Sequence, residues 1–482
     1  MNTDNATHSQ CSILHFGVGN FHRAHQAFYI NELLQFTDQA HWGICGVGLM
    51  QSDQAIIQGL KDQNLTYTLT IYGRDNTSQC YDITSIRELY WALEDSESIL
   101  AKIANPEIKI ISLTITEGGY NIDKITQEFK LDEPSIQNDL QSPHSPVTIF
   151  GYIAEGLRRR KRNNIAGLTI LSCDNLQHNG DVMKKALTAF VKEQDKELLH
   201  YIEDFISFPN SMVDRITPMT SQLDFERLNK GKSKIDKVPV YCEDYIQWVI
   251  EDKFIGERPQ LEKVGVQFTS DVKDFENMKL SLLNASHSLL AYPSFLKGYR
   301  KVDQAMNDRD IYLLIKDFMD KDVTPHITIP VDTDLENYKK ILLERFANSS
   351  VSDQVSRLCS DGLSKFPVYI VPTLKKMIAA KQNLERIALL IATYRHYLKV
   401  QKDDYGSPYE INEPWLSEKE KENIHADNIL AFLMLPIFQD LNLTENTEFI
   451  DSYSKYVLLI EIKGMKSTLE EYTSRRSYQL LN

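Results

Sequence analysis

The chain has 482 residues, 42% hydrophobic and 25% charged, which is the composition of an ordinary soluble globular protein of two or three domains. Its net charge of −14 argues against a nucleic-acid partner, which would require clustered Lys and Arg. No apolar run approaches the ~18 residues of a membrane helix. The polar start MNTDNATHSQ is unlike a secretory signal, and the six cysteines are scattered. We therefore expect a cytoplasmic protein without a membrane or nucleic-acid partner.

The first predicted elements are a strand, a tight glycine turn and a helix. The apolar run SILHF at 12–16 is followed by Gly17-Val18-Gly19, and a helical pattern occupies 21–30. Glycines at such a turn let the backbone approach a pyrophosphate at the start of a helix. The third glycine of the usual fingerprint is replaced by His22, so an ordinary strand–turn–helix stays open as an alternative. To a dinucleotide site we assign Gly17, Gly19, Asn20, Phe21 and Arg23.

Four further strands are predicted at 42–49, 67–72, 108–115 and 168–172. Short apolar strands separated by helical stretches indicate a parallel sheet that is covered on both faces. Asp53 follows the second strand, where an acidic residue can bind the ribose 2′-hydroxyl of NAD; the alternative is a surface or helix-capping Asp. Glu117 follows the strand at 108–115 and is also assigned to the cofactor. Asn175 follows the strand at 168–172, at the strand end where ligands bind in open α/β sheets.

The sequence pattern changes between about residues 265 and 275. Glycine and strand signals become rare, and long helical patterns occupy 279–296, 382–399 and 426–440. We therefore predict an α/β fold in which a Rossmann-type, doubly wound domain (1–270) precedes a mainly α-helical domain (271–482). The basic run Arg158–Arg162 is interpreted as the solvated end of a helix.

The segment 276–287, ENMKLSLLNASH, combines acid–base residue types with a largely apolar helix. At roughly 100° per residue, four polar side chains fall within an arc of about 140°: Glu276, Lys279, Asn284 and His287. Burial lowers the pKa of a lysine and lets it act as a base, and a carboxamide can donate N–H bonds to an alkoxide oxygen. The alternative is an amphipathic helix whose Lys279 reaches solvent and whose His287 belongs to the core.

Seven ordered motifs together resemble the long-chain polyol dehydrogenases, the mannitol 2-dehydrogenase family, over about residues 11 to 470. This family includes enzymes that act on arabinitol and on fructuronate. The motifs are GVGNFHRAHQAFY (17–29), LTITEGGY (113–120), LSCDNLQHNG (171–180), FPNSMVDRITP (208–218), EDYIQWVIEDKF (243–254), MKLSLLNASH (278–287) and SRLCSDGLSKFP (356–367).

The resemblance implies a role for each matching position. Lys279 is the expected general base, Glu276 gates its proton, Asn175 and Asn284 hold the reacting oxygen, and His287 positions the substrate hydroxyl. The substrate-binding residues implied are Arg357, Lys365 and Asp214, the last of these near the proton and water path. Asp53 matches the acidic position associated with NAD preference over NADP.

Two departures from the family pattern are visible. Pro293 should kink the catalytic helix or end it near Tyr292. Ser52, rather than a second acidic residue, precedes Asp53, which leaves the strictness of NAD preference open.

The function expected from the resemblance is interconversion of D-mannitol and D-fructose with NAD, by a monomer and without a metal. Related specificities stay open, namely D-arabinitol to D-xylulose and fructuronate to mannonate, because the motifs belong to the shared catalytic core. A non-catalytic NAD-binding regulator is the alternative of another class, although a regulator has no need of the lysine and asparagine set. A zinc alcohol dehydrogenase is disfavoured because no Cys/His cluster has ligand spacing.

Overall fold

A computed structural model describes residues 10–75, 77–123, 126–351 and 353–479. The chain divides into two compact units between Lys273 and Asp274, and each unit is considered separately below. No helix within the described ranges is long and apolar enough to span a membrane. The six cysteines all lie in these ranges, and none forms a disulfide.

The first unit contains a parallel sheet of six described strands: β1 (Cys11–Phe16), β2 (Gly43–Gly48), β5 (Ile86–Trp91), β6 (Ile110–Leu113), β7 (Leu168–Ser172) and β8 (Ile206–Ser207). They are ordered β5-β2-β1-β6-β7-β8, and each pairs in parallel with its neighbours. This is the 3-2-1-4-5-6 order of a Rossmann sheet. The strand order reverses between β1 and β6, which is where such a sheet binds its ligand.

Both faces of this sheet are buried, because neighbouring residues of one strand enter different cores. Leu14 and Ile111 pack in one hydrophobic cluster, whereas Ile13 and Ile110 pack in the other. Side chains alternate between the faces of a strand, so an almost continuous apolar run is the pattern that a sheet covered on both sides requires.

Helices and two small sheets complete the first unit. The strands of these sheets are β3 (Tyr67–Tyr72), β4 (Ser78–Ile83), β9 (Ser211–Asp214), β10 (Val240–Glu243), β11 (Gln247–Glu251) and β12 (Gln267–Thr269). One sheet has the order β10-β3-β4 and the other β12-β11-β9. The α-helices are α1 (Asn20–Ala24), α2 (Gln26–Leu33), α3 (Gln54–Lys61), α4 (Ser96–Ile103), α5 (Thr116–Gly119), α6 (Pro134–Gln141), α7 (Ile149–Arg162), α8 (Asn179–Lys192), α9 (Lys196–Phe205) and α10 (Gln222–Asn229), and 3₁₀ turns occupy Thr37–Gln39, Gln51–Asp53 and Leu261–Val264.

The second unit is helical in its described part. Its α-helices are α11 (Lys273–Lys279, which begins in the last residue of the first unit), α12 (Ala285–Leu296), α13 (Val302–Met306), α14 (Arg309–Asp317), α15 (Leu335–Phe346), α16 (Val355–Cys359), α17 (Gly362–Tyr369), α18 (Val371–Ala379), α19 (Glu385–Val400), α20 (Glu418–His425) and α21 (Thr447–Gln479). Two π-helical turns occupy Leu280–Asn284 and Phe318–Val323. The 3₁₀ segments are Thr324–His326, Ser349–Val351, Ile429–Met434, Pro436–Leu441 and Leu443–Glu445. The predicted fold class, a Rossmann-type domain followed by a helical domain, is confirmed.

Several detailed predictions differ from the structure. The predicted strand at 67–72 exists with those bounds, but it lies in the β10-β3-β4 sheet, and β5 takes the third position of the parallel sheet. The predicted helix at 426–440 is wrong, because this segment forms two 3₁₀ helices, the second of which begins at Pro436. Proline lacks the N–H that an α-helix would need there, and it keeps the preceding residue extended. Pro293 does not end its helix, which continues to Leu296.

The basic run is the last turn of α7, as predicted, but its solvation was predicted wrongly at two positions. Arg160 is buried and donates to the carbonyl oxygens of Ile103, Asn105 and Ala166. Arg158 is also buried and is paired with Glu155. These arginines therefore stabilise the helix end from within rather than forming a charged surface.

Candidate active site

The glycine turn after β1 lies at the carboxyl edge of the sheet, beside the point where the strand order reverses. Gly17 has φ +97°, and a Cβ there would come within 2.0 Å of the carbonyl oxygen of Thr114. Its N–H donates to the carbonyl of Val47 at 2.9 Å. A Cβ on Gly19, in contrast, would have no atom within 4 Å. The turn thus combines a backbone that only glycine permits with open space at its outer glycine, which fits a pyrophosphate approaching the main chain.

His22 fills the space at the third position of the glycine fingerprint. Its ring stacks on that of His15, with the centroids 3.5 Å apart. Burial lowers the pKa of both imidazoles, that of His15 to about 3, so both rings are neutral at physiological pH. The third glycine of the fingerprint normally lets helix and strand pack closely. Here a pair of stacked neutral rings forms that contact instead.

The side chains of the other residues predicted near the turn form hydrogen bonds and a ring contact with other residues of the first unit. The buried Arg23 guanidinium donates to the carbonyl of Val238 and, at 2.6 Å, to Oδ1 of Asn20. Asn20 donates in turn to the carbonyl of Pro218 at 3.3 Å. The ring of Phe21 stacks on His25. In this arrangement the side chains of Asn20 and Arg23 attach α1 to the segment between residues 218 and 238.

Four of the predicted positions follow adjacent strands and therefore lie along one edge of the sheet. From β2 to β7 they are Asp53, the Gly17–Gly19 turn, Glu117 and Asn175. Glu117 and Asn175 are exposed. The carboxylate of the partly exposed Asp53 accepts a hydrogen bond from the Met50 N–H at 2.8 Å. Asp53 therefore stabilises the turn at Met50, which is the role of a capping Asp. It also lies at the end of β2, where a Rossmann sheet binds the ribose. Asp214 lies elsewhere, buried at the end of β9.

Asp174 was missed as a candidate, although it precedes Asn175 directly. Its buried carboxylate accepts hydrogen bonds from the N–H groups of Ile115 and Thr116 and from the Tyr120 hydroxyl. Burial raises the pKa of Asp174, and these three donors oppose that increase. The acidic residue beside a predicted catalytic asparagine was the signal available in the sequence.

In the second unit, the predicted catalytic helix contains a π-helical turn. Glu276 and Lys279 are buried on α11, the π turn follows at once, and Asn284 and His287 are half-buried at and after its end. A π turn bonds residue i to i+5, so it shifts the phase of everything after it by about one residue. The arc of about 140° was calculated for a regular helix, so the turn changes its width while leaving the four residues on one side of the helix. Asn284 Oδ1 is buried without a hydrogen-bond partner among the described residues.

His287 stands among the charged residues of the predicted substrate-binding motif. The pKa of His287 is lowered to about 3, chiefly by burial and also by the nearby cations Arg357, Arg345 and Lys365, whereas Asp353 acts in the opposite direction. Its ring lies 4.4 Å from that of Phe346, centroid to centroid. His287 is therefore a neutral imidazole at physiological pH, able to accept a hydrogen bond at one nitrogen and donate from the other.

Arg357 and Lys365 lie close together, and each already donates hydrogen bonds to other groups of the protein. The exposed Arg357 is held by Asp353, one helical turn earlier, and this pairing raises the pKa of the guanidinium. Lys365 donates to the carbonyl oxygens of Leu358 and Arg357 at 3.1 and 3.3 Å. Burial lowers the pKa of Lys365. Asp353 and Arg345 were not predicted; the spacing of Asp353 to Arg357 was the available signal for the first.

No group of three or more His, Cys, Asp or Glu side chains in the described part of the chain is arranged to hold a metal ion. The first unit contributes a backbone turn and hydrogen-bond donors, and the second contributes a buried lysine and a neutral imidazole. Such groups can bind a nucleotide, orient hydroxyls and move a proton.

Comparison with known proteins agrees with this geometry. Residues 11–263 match the mannitol dehydrogenase Rossmann domain, and residues 271–459 match the mannitol dehydrogenase C-terminal domain. The chain is 40% identical over 462 residues to a polyol:NADP oxidoreductase of Gluconobacter oxydans (strain 621H), covering 95% of this chain and 94% of that protein.

Two solved structures are similar over nearly the whole chain. A substrate-free D-sorbitol dehydrogenase superposes with a TM-score of 0.90 at 39% identity, covering 96% of this chain and 95% of the other. A ternary complex of Pseudomonas fluorescens mannitol 2-dehydrogenase with NAD and D-mannitol superposes with a TM-score of 0.84 at 41% identity, covering 97% and 95%. The family predicted from the seven motifs is confirmed: the chain belongs to the mannitol dehydrogenase family and is an oxidoreductase of the polyol dehydrogenase type.

Proposed function

We propose that the protein interconverts D-mannitol and D-fructose and prefers NAD to NADP. The observation that carries the proposal is the arrangement along the carboxyl edge of the sheet, where Asp53, the Gly17–Gly19 turn, Glu117 and Asn175 follow four adjacent strands. The similarity to a mannitol 2-dehydrogenase solved with NAD and D-mannitol supports the same substrate and cofactor. The bound nicotinamide cofactor would accept the hydride from the polyol.

In this proposal Lys279 is the acid–base group. Oxidation requires its neutral amine to accept the proton of the reacting hydroxyl, and reduction requires its ammonium to return that proton. Burial of Lys279 disfavours the ammonium form, whereas a neighbouring carboxylate such as Glu276 favours it. Glu276 lies one turn earlier on α11 and is buried as well, so it can tune the proton affinity of the lysine and pass its proton on.

The remaining proposed roles are to bind and orient the substrate. The carboxamides of Asn175 and Asn284 donate N–H bonds to the reacting oxygen, and the neutral His287 binds a hydroxyl. Arg357 and Lys365 donate to the hydroxyls farther along the polyol, and Asp214 acts near the proton path. A neutral polyol suits Arg357 better than a uronate does, because Asp353 already pairs with its guanidinium.

A steady-state screen tests this proposal. It compares kcat/KM for D-mannitol, D-sorbitol and D-arabinitol with NAD and NADP, and for fructose and fructuronate with NADH and NADPH. The proposal predicts that D-mannitol with NAD, and fructose in reverse, give the highest values. A higher value for another polyol or for fructuronate would replace the substrate and keep the reaction type. Tight NADH binding without turnover of any polyol or ketose would favour a regulator instead.

A further inference from the structure

Asp174 connects two loops at the carboxyl edge of the parallel sheet. It is the second residue after β7, and the residue is only 9% exposed. Oδ1 accepts the N–H of Thr116 at 2.8 Å, and Oδ2 accepts the N–H of Ile115 at 3.1 Å and the hydroxyl of Tyr120 at 2.8 Å. All three donors lie in the segment 115–120, which follows β6, contains the four-residue α5 and is called the β6 loop below. One carboxylate therefore holds the loop of the neighbouring strand.

That loop contains a backbone conformation that needs outside support. Thr116 has φ +62°, and it is β-branched and exposed. A β-branched residue at positive φ is strained, and such strain persists only where the surroundings over-determine it. The two N–H bonds to Asp174 are made by Thr116 itself and by the residue before it, so they fix the peptide group that precedes the strained φ.

The main chain of Asp174 is also fixed. Its carbonyl oxygen accepts the N–H of Leu176 at 2.9 Å and the side-chain amide of Asn179 at 3.1 Å. Asn179 is fully buried and makes two further bonds to the backbone of Ser211, which begins β9. Asn175 follows Asp174 directly, so a rigid anchor stands immediately before the predicted oxygen-binding residue.

We propose that Asp174 is a positioning residue that holds the β6 loop at Thr116 in its strained conformation and so shapes the cofactor side of the site next to Asn175. The role assigned to Asn175 rests on the proposed function. The hydrogen bonds from Ile115, Thr116 and Tyr120 to Asp174, called the clamp below, do not rest on the proposed function, because all of these residues lie within the first unit. Asp174 touches no reacting atom in this proposal and acts through the loop.

The test replaces Asp174 by Asn. The side chain keeps its shape, but only one of its two terminal atoms can still accept a hydrogen bond. We expect the NADH dissociation constant from fluorescence titration to rise about 10-fold or more, which corresponds to ~1.4 kcal/mol or more of binding free energy. We also expect kcat for polyol oxidation to fall. Without cofactor, hydrogen–deuterium exchange should become faster at the amides of Ile115 and Thr116.

A rescue and a matched control make the test specific. Thr116→Gly in the Asp174→Asn background should recover most of the NADH affinity, because glycine adopts positive φ without strain. Asp139→Asn is the control: Asp139 is a fully buried carboxylate that also accepts two N–H bonds and a hydroxyl, from Val147 and Thr148, which are not candidate site residues. It should lower the melting temperature while leaving NADH affinity within about two-fold.

The outcomes separate the clamp from the proposed activity. Unchanged NADH affinity and unchanged exchange in Asp174→Asn would overturn the clamp, whatever the enzyme oxidises. Equal loss of affinity in Asp139→Asn would also overturn it, because the effect would then be general destabilisation. If Asp174→Asn does not fold, the double variant decides: a folded protein that binds NADH supports the clamp, and failure of both variants to fold contradicts it. Lack of polyol turnover by the unmodified protein bears on the proposed function alone.

Discussion

Removing the charge of Asp53 should shift cofactor choice toward NADP. The Asp53 carboxylate stands after β2, where it can accept bonds from a ribose 2′-hydroxyl and repel a 2′-phosphate. A hydrogen bond to a charged group is worth ~1.5–3 kcal/mol, which is about 10- to 100-fold in affinity. Because Asp53 is partly exposed, solvent screening places the expected change near ten-fold.

The structure also dictates which substitution isolates this effect. Asp53 accepts the Met50 N–H, so Asp53→Ala would disturb the turn as well as the charge. Asp53→Asn retains an oxygen for Met50 and removes the charge alone. The assay is kcat/KM for NAD and for NADP at one polyol concentration and constant ionic strength. We expect the NADP-to-NAD ratio to rise about ten-fold in Asp53→Asn. An unchanged ratio in both variants would refute the reasoning and leave Asp53 as a turn-capping residue.

Four further predictions follow from the site. Exhaustive treatment with a chelator should leave polyol oxidation intact, and loss of activity that only a divalent metal restores would contradict the lysine mechanism. Arg357→Ala and Lys365→Ala should each raise KM for polyol and ketose by about 10-fold, the worth of one charge-assisted hydrogen bond, while NADH titration gives an unchanged dissociation constant; an equal loss of NADH affinity would place these residues at the cofactor. Because the pKa of His287 is lowered to about 3, its ring stays neutral from pH 5 to 10, and His287→Gln should reduce kcat/KM without moving the apparent pKa of the pH profile. The same lowering means that the unfolded chain takes up a proton near pH 6.5 and the folded one only near pH 3, so acid between these values should destabilise the unmodified protein more than His287→Gln, measured by denaturant unfolding.

The parallel sheet and its functional edge could be predicted because their signals are local. Each strand that was found there is a short apolar run, and the glycines follow the first run directly. Since ligands bind at the carboxyl ends of parallel strands, the residues after each run could be named without knowing the strand order. The strand β5 was missed because its sequence, IRELYW, contains charged residues between apolar ones. A strand at the edge of the sheet can carry them because it is only partly buried.

Other features depend on tertiary context that one sequence does not display. No residue pattern distinguishes the π turn at Leu280–Asn284 from an α-helix, so the sequence was treated as a regular helix. Arg160 was assigned to solvent because it belongs to a basic run, yet its guanidinium donates to the carbonyl oxygens of Ile103, Asn105 and Ala166 inside the protein. The importance of Asp174 depends on the positive φ of Thr116, a residue type that rarely adopts it.

The central claim is that Lys279 transfers the proton, and its most direct test is the pH dependence of kcat/KM in both directions. In the unmodified enzyme, polyol oxidation should rise with pH through one ionisation, and ketose reduction should fall through it. Lys279→Ala should lose a factor of ~10²–10⁴ in both directions, lose that ionisation and still bind NADH. Lys339→Ala is the control, since Lys339 is similarly buried and forms ion pairs with Asp320 and Glu336, which are not candidate site residues; it should keep the profile. Near-normal turnover of Lys279→Ala with an unaltered pH profile would contradict the account.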